Sequence, residues 1–206
     1  MSESRERVFV VDDDPGVRKS LSRLLRSAGF EPLAFGSAEE FLRRLSSDAS
    51  GCLILDISMP GLDGLALQRE ISSRGKALAT VFLTGHGDIP RSVQAMKNGA
   101  IDFLTKPVDH DVLLASVRQA LDAEQSGRQV RHEIAGIERR LASLTDREHQ
   151  VLDGVVAGKL NKQIAGDLRI TEKTVKVHRA RLMAKMEASS LAELVRFISL
   201  IRNVRQ

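Results

Sequence analysis

The sequence predicts an α/β domain, a parallel sheet covered on both faces, followed by a linker and a small all-helical domain. Three observations predict this. Over the first 120 residues, short apolar runs rich in β-branched residues alternate with amphipathic stretches. From residue 144 onward no strand pattern appears, only segments of helical period. Charge divides along the same line: residues 1–120 hold 15 basic and 16 acidic side chains, 121–140 hold 4 and 4, and 141–206 hold 12 and 7. The net +4 of the chain therefore resides in its last third. One domain that meets a polyanion beside one that does not would give this division, and so would a plain solvated basic surface.

The apolar runs are Val8-Phe9-Val10-Val11, Pro32-Leu33-Ala34-Phe35, Cys52-Leu53-Ile54-Leu55, Thr80-Val81-Phe82-Leu83 and Ile101-Asp102-Phe103-Leu104. Each is as short as a buried strand and is followed by turn residues. Between them, 17–28, 37–47, 64–74 and 90–98 have helical spacing. The first carries Val17, Leu21, Leu24, Leu25 and Ala28 and closes at Gly29; Ser37 caps the second, and Asp88 the fourth. Strand then helix, repeated, makes a parallel sheet.

Asp109 can cap a helix starting at His110, with Leu113, Val117 and Leu121 on its apolar face. The segment 122–142 is polar, yet Val130, Ile134, Ile137, Leu141 and Leu144 keep a 4-3-4-3 spacing, which suggests a helical linker with a short coiled-coil seam. A helix from 109 to 141 would span about 50 Å. Gly127 and Gly136 each weaken it by about 1 kcal/mol, so a flexible, partly helical linker is the alternative. Helices at 145–157 (stopped by Gly158), 161–168, 172–186 and 190–202 form a compact four-helix domain. The predicted division is 1–121, 122–142 and 143–206.

Several function classes are disfavoured. No apolar run reaches the length of a membrane span, and Met1-Ser2-Glu3-Ser4-Arg5 lacks a signal core, so no membrane partner and a cytoplasmic location are expected. A single cysteine, Cys52, rules out a disulfide framework and reads as an inert buried residue. There is no Trp and no Tyr, and six of the seven Phe lie between Phe9 and Phe103, which argues against stacking on single-stranded nucleic acid. His110, His132 and His149 show no ligand spacing with acidic or Cys partners.

The strand ends carry the chemistry. Ligands of a parallel sheet collect at the carboxyl ends of its strands. Here those ends offer Asp12-Asp13-Asp14, Asp56, Thr84 and Lys106-Pro107. Clustered carboxylates repel one another, and a hard divalent cation, Mg²⁺ or Mn²⁺, relieves this. Asp56 is then free to attack phosphorus as a nucleophile, with Thr84 and Lys106 binding the phosphoryl oxygens. Any one of these residues alone is ordinary turn chemistry.

Four segments together resemble the motifs of response-regulator receiver domains: Val10-Val11-Asp12-Asp13, Leu55-Asp56-Ile57-Ser58-Met59-Pro60-Gly61-Leu62-Asp63-Gly64, Leu83-Thr84-Gly85-His86-Gly87-Asp88 and Ala100-Ile101-Asp102-Phe103-Leu104-Thr105-Lys106-Pro107. The resemblance covers 6–121. It implies a flavodoxin-like five-stranded sheet of order 2-1-3-4-5 and phosphorylation of Asp56 by a sensor histidine kinase. It also implies that Asp13, Asp56 and the Ser58 carbonyl bind the metal, with Asp12 acting through water. Thr84 would turn toward the phosphoryl group and the Phe103 ring would rotate into the space it leaves. A cis bond is expected before Pro107. Ser58 and His86 occupy the two positions that set phosphate lifetime in this family, and Gly85-His86-Gly87-Asp88-Ile89-Pro90 is similar to the FixJ subgroup.

In the basic third, helix 161–168, a short turn at Arg169-Ile170 and a helix capped by Thr171 have the geometry that sets a second helix into the major groove. Val175, Leu182 and Met186 define the core face of that helix. Lys173, Lys176, Val177 and Ala180 share the outward face, flanked by Arg179 and Arg181. An exposed Val between basic residues suits a thymine methyl, and Lys176 a guanine edge or a phosphate.

Leu144-Thr145-Asp146-Arg147-Glu148-His149-Gln150-Val151-Leu152, Asn161-Lys162-Gln163-Ile164-Ala165 and Thr174-Val175-Lys176-Val177-His178-Arg179 resemble the LuxR-type helix-turn-helix over about 143–200. By that resemblance Lys176 and Val177 read bases, Lys162 and Thr174 lie near phosphates, and Glu148 supports the fold. Ala180 stands where the NarL branch has a basic residue. The last helix (Leu191, Leu194, Val195, Ile198, Ile201) serves either a dimer contact or the domain core.

Together the two resemblances imply a two-component transcription factor of the FixJ/NarL kind. Its partners would be a histidine kinase, double-stranded promoter DNA, RNA polymerase and, on phosphorylation, a second copy of the chain. The alternatives are a constitutive DNA-binding regulator whose receiver only dimerises, and a Mg²⁺-dependent aspartyl-phosphate phosphohydrolase. The second would want a Gly-Thr pair where Pro15-Gly16 stands.

Overall fold

The computed structural model describes residues 6–46, 49–74, 78–85 and 89–204. The chain forms two compact units, Met1–Gly127 and Arg128–Gln206.

The first unit alternates strand and helix: β1 (Arg7–Val11), α1 (Pro15–Ser27), β2 (Glu31–Phe35), α2 (Ala38–Arg44), β3 (Cys52–Asp56), α3 (Gly64–Ser73), β4 (Ala79–Thr84), α4 (Ile89–Lys97) and β5 (Asp102–Thr105). The five strands form one parallel sheet in the order β2-β1-β3-β4-β5, the order implied by the receiver resemblance. Because side chains alternate along a strand, each run feeds two cores. Phe9, Val11, Leu53, Leu55 and Phe82 pack on one face with Phe41, Leu67, Ile71 and Ala95 of α2, α3 and α4. Val8, Val10, Cys52, Ile54, Val81 and Leu83 pack on the other with Leu21 and Leu25 of α1 and with Leu113, Val117 and Leu121. Burial raises the Cys52 thiol far above its ordinary range, which leaves it inert.

Local signals set the ends. The Asp14 carboxylate accepts from the N–H groups of Gly16 and Val17 at the start of α1, and Ser37 Oγ accepts from Glu40 N–H at 3.2 Å in α2. Helix α2 stops at Arg44, short of the predicted 47, because Leu45 is extended. The predicted cap Asp88 and the position His86 lie outside the described residues.

Helix α5 (His110–Ala142) starts where Asp109 Oδ1 accepts from Asp111 and Val112 N–H, as predicted. It is helical through Gly127 and Gly136, and its residues from Arg128 belong to the second unit. There it is joined by α6 (Asp146–Val156), α7 (Asn161–Leu168), α8 (Glu172–Met186) and α9 (Leu191–Val204).

The 4-3-4-3 face has a different role from the predicted seam. Ile137 and Leu144 are buried in the same core as Val151, Ile164, Val175, Leu182 and Phe197, with Leu141 packed against it. Ile134 is also buried, whereas Val130 is 45% exposed. Intrachain packing, not a coiled-coil partner, accounts for most of the heptad-like spacing. Leu194, Ile198 and Ile201 of α9 likewise enter the core, leaving Leu191 exposed. Among the described residues, two helices end on left-handed residues that are not glycine: Arg169 after α7 (φ 55°) and Glu187 after α8 (φ 53°).

Candidate functional site

The carboxyl edge of the sheet gathers the acidic residues. Asp12 follows β1, Asp56 ends β3, Thr84 ends β4 and Lys106 follows β5. Asp12, Asp56 and Thr84 are buried, whereas Asp13 is exposed. One carboxylate oxygen from each of Asp12, Asp13 and Asp56 lies within 4.8 Å of the others. The Lys106 Nζ sits 2.6 Å from Asp12 Oδ2 and 3.2 Å from Asp56 Oδ2. The Lys106 N–H donates to the Thr84 carbonyl at 2.7 Å, and a cis bond joins Lys106 to Pro107, as the receiver resemblance implies.

The backbone is shaped around these groups. Asp14 N–H donates to Asp12 Oδ1 at 2.9 Å and Ser58 N–H to Asp56 Oδ1 at 3.3 Å. At Gly64 a side chain is excluded: a Cβ would lie 2.3 Å from the Asp56 carbonyl oxygen and 3.0 Å from Ile57 Cα, so only glycine lets α3 begin this close to the end of β3. Phe103, on β5 opposite Phe82, is partly buried against the core on the α2–α4 side of the sheet.

Electrostatics follow from crowding. Burial raises the Asp12 carboxyl above its ordinary value and repulsion from Asp56 adds to this, against the opposing bonds from Lys106 and Asp14 N–H. For Lys106, burial acts to lower the ammonium. Its bond to Asp12 and the charges of Asp12 and Asp56 outweigh that, and the net shift is upward. Three carboxylates cluster here, two of them paired with one ammonium, and their oxygens are hard donors. The residues present therefore fit a divalent cation of the Mg²⁺ type.

Sequence reasoning missed two contacts made by the segments that flank this site. Arg18 donates from Nη1 to the Asp12 carbonyl at 2.7 Å, and Glu39 accepts the Leu62 N–H at 3.2 Å. The first has a faint signal, a basic residue one turn into α1. The second has none, because 23 residues separate the partners.

In the second unit, α7 and α8 form the predicted helix-turn-helix. Val175, Leu182 and Met186 are fully buried, while Lys173, Lys176, Val177, Ala180 and Arg181 are exposed on α8. Val177 is 44% exposed, so packing does not account for its side chain. Lys162 is exposed on α7, Thr174 is half-buried, and Arg179 is half-buried with its Nη1 donating to Asn161 Oδ1 at 3.2 Å. Glu148 closes a capping box with Thr145 and accepts from Lys185 Nζ at 2.7 Å. The bond from Lys185 and that from the Thr145 N–H lower its carboxyl to about 2. It is thus a buried structural anion; Lys185 is the partner that sequence reasoning did not supply.

A doubly wound sheet with clustered carboxylates beside a lysine, joined to a helix-turn-helix unit, defines the class of two-component transcriptional regulators. Comparison with known families agrees. Residues 8–118 match the response regulator receiver domain, and residues 142–198 match the bacterial regulatory proteins of the luxR family. The chain belongs to the FixJ/NarL-type response regulators, receivers with a LuxR-type DNA-binding domain. It is 47% identical over 191 residues to the transcriptional regulatory protein FixJ of Azorhizobium caulinodans, covering 92% of this chain and 90% of that one. It is 44% identical over 189 residues to nodulation protein W of Bradyrhizobium diazoefficiens, covering 92% and 83%. Among solved structures it resembles the response regulator StyR, with a TM-score of 0.83 and 46% identity over 95% of this chain and 99% of that one. The family is one of transcription regulators, in contrast to the phosphohydrolase alternative. Among the described residues no helix is long and apolar enough to cross a membrane.

Proposed function

We propose that this protein is a phosphorylation-dependent regulator of transcription in the cytoplasm, with Asp56 as the phosphoacceptor. The observation that carries the reading is the placement of the Asp56 carboxylate, in one cluster with Asp12 and Asp13 and 3.2 Å from Lys106 Nζ. An Asp56 oxygen attacks the phosphorus of a phosphohistidine on a sensor kinase, and the P–N bond breaks. Asp13, Asp56 and the Ser58 carbonyl would hold a Mg²⁺ or Mn²⁺ ion, with Asp12 acting through water; that ion would offset negative charge on the carboxylates and phosphoryl oxygens. Lys106 keeps its charge in the site and pairs with a phosphoryl oxygen as the bond to Asp56 forms. The Thr84 hydroxyl supplies a second donor, and the Phe103 ring follows it inward.

The phosphoryl group adds roughly two negative charges. The surface of α4 and β5 rearranges and two receivers pair. Dimerisation brings two basic domains to adjacent half-sites on duplex promoter DNA, which raises their effective concentration. Lys176 and Val177 read bases. Lys162, Lys173, Thr174, Arg179 and Arg181 lie along the backbone, with Arg179 held by Asn161. The bound dimer then acts on RNA polymerase, in the direction of activation.

The test compares Asp56→Ala with wild type, each with and without beryllofluoride. Dimerisation and tighter promoter binding in treated wild type alone are expected. Equal dimerisation and DNA affinity in all four samples would overturn the phospho-switch in favour of a constitutive regulator.

A further inference from the structure

Glu39 stands in the first turn of α2, outside the acidic cluster, yet it reaches the loop that leaves β3. Its Oε1 accepts the N–H of Leu62 at 3.2 Å. Gly61, at φ +75°, leaves room for that carboxylate: a Cβ there would come within 3.0 Å of Glu39 Oε1. Bonds from its own N–H, from Leu62 N–H and from the Ser37 hydroxyl hold the Glu39 carboxyl below its ordinary value, so it remains an ionised acceptor.

The other end of the loop is fixed at the site itself. Ser58 N–H is bonded to Asp56 Oδ1, Gly64 N–H to the Ile57 carbonyl at 3.1 Å, and the Asp63 carboxylate caps α3 through Ala66 N–H at 2.7 Å. Between these points the outer turn at Gly61 and Leu62 has its side-chain anchor in Glu39. A carboxylate at the surface adds nothing to the apolar core, and Ser37 caps α2 independently of it. The contact ties α2 to a loop that begins one residue after Asp56.

We propose that Glu39 is a positioning residue for the phosphoacceptor site: by anchoring Leu62 it holds Ser58 in place for the divalent cation. This rests on the cation assignment made under the proposed function. Losing one acceptor should loosen the loop and weaken binding by about two- to tenfold, the range that one net hydrogen bond spans.

The experiment titrates the full chain with Mg²⁺ alone, by calorimetry, for wild type, Glu39→Ala and Glu39→Gln. It also follows hydrogen exchange at the Leu62 amide. Glu39→Ala should raise the Mg²⁺ dissociation constant within that range and speed Leu62 exchange. Glu39→Gln, which keeps an oxygen acceptor, should stay near wild type in both. In phosphorylation by acetyl phosphate, Glu39→Ala should move the half-saturating Mg²⁺ concentration and leave the plateau unchanged. Wild-type Mg²⁺ affinity in Glu39→Ala, equal losses in Glu39→Ala and Glu39→Gln, or a lowered plateau at unchanged half-saturation would each overturn the positioning role. If wild type itself failed to bind Mg²⁺, the cation assignment would fall first and this role with it.

Discussion

Lys106 Nζ bridges two buried carboxylates, 2.6 Å from Asp12 and 3.2 Å from Asp56. The ammonium both offsets their repulsion and occupies space beside the oxygens that a cation would use. Replacing it by methionine keeps most of the length of the side chain and removes the charge. Lys106→Met should therefore bind Mg²⁺ more tightly than wild type in calorimetry. It should also lose most of the beryllofluoride-induced dimerisation seen by sedimentation, because the phosphoryl oxygens lose their cationic partner. Weaker Mg²⁺ binding would show that the lysine supports the cation site rather than competing with it.

Glu148 makes the stability of the helical unit depend on acid. Its carboxyl is lowered from 4.5 to about 2, chiefly by Lys185. A carboxylate lowered by folding stabilises the native state above the unfolded value, and that contribution fades as pH falls through the folded one. Thermal melts of wild type and Glu148→Gln should thus diverge above about pH 4.5 and converge as pH approaches 2. Parallel curves across that range would mean the bond to Lys185 carries no net stability.

Ile137 ties the end of α5 into the core of the helical unit. It is fully buried there among side chains of α6 to α9. Ile137→Ala should cost about 2–5 kcal/mol, the usual range for such a truncation, by denaturant titration. Val130→Ala, on the exposed part of the same helix, should cost less than about 0.5 kcal/mol. Comparable losses at the two positions would restore the coiled-coil reading, in which Val130 and Ile137 share one seam.

Substitutions at Val177 and Lys176 test the two kinds of DNA contact proposed for α8. Both side chains are exposed, so alanine at either position should leave the melting temperature nearly unchanged. Val177→Ala should weaken specific sites alone, and Lys176→Ala should weaken specific sites more than random duplex. Lys176→Ala should also reduce the slope of log affinity against log salt by about 0.9 if it contacts a phosphate, and leave it unchanged if it reads a base. Gel-shift titrations between about 50 and 200 mM salt distinguish these outcomes.

The carboxyl edge of the sheet was readable from sequence because each acidic residue directly follows an apolar run whose length and turn residues mark it as a strand. The helix caps Ser37, Asp109 and Thr171 were readable for the same local reason. Contacts between distant segments were not. Nothing near Glu39 signals a bond to Leu62, and nothing near Glu148 signals Lys185. The spacing from Val130 to Leu144 misled in a more instructive way. A 3.5-residue apolar period says that one face of a helix is buried, and it does not say by which chain.

The left-handed residue after α8 has a consequence for how this protein tolerates change. Most chains put glycine at such a bend, since a side chain there costs about 1–2 kcal/mol. Here Glu187 pairs its carboxylate with Arg140 of α5, whose guanidinium also lies over the Phe197 ring. The left-handed residue thus also carries one half of an ion pair between helices α5 and α8. Glycine would relax the bend and undo that pair, so conformational ease and interhelical attachment cannot both be improved at this one position.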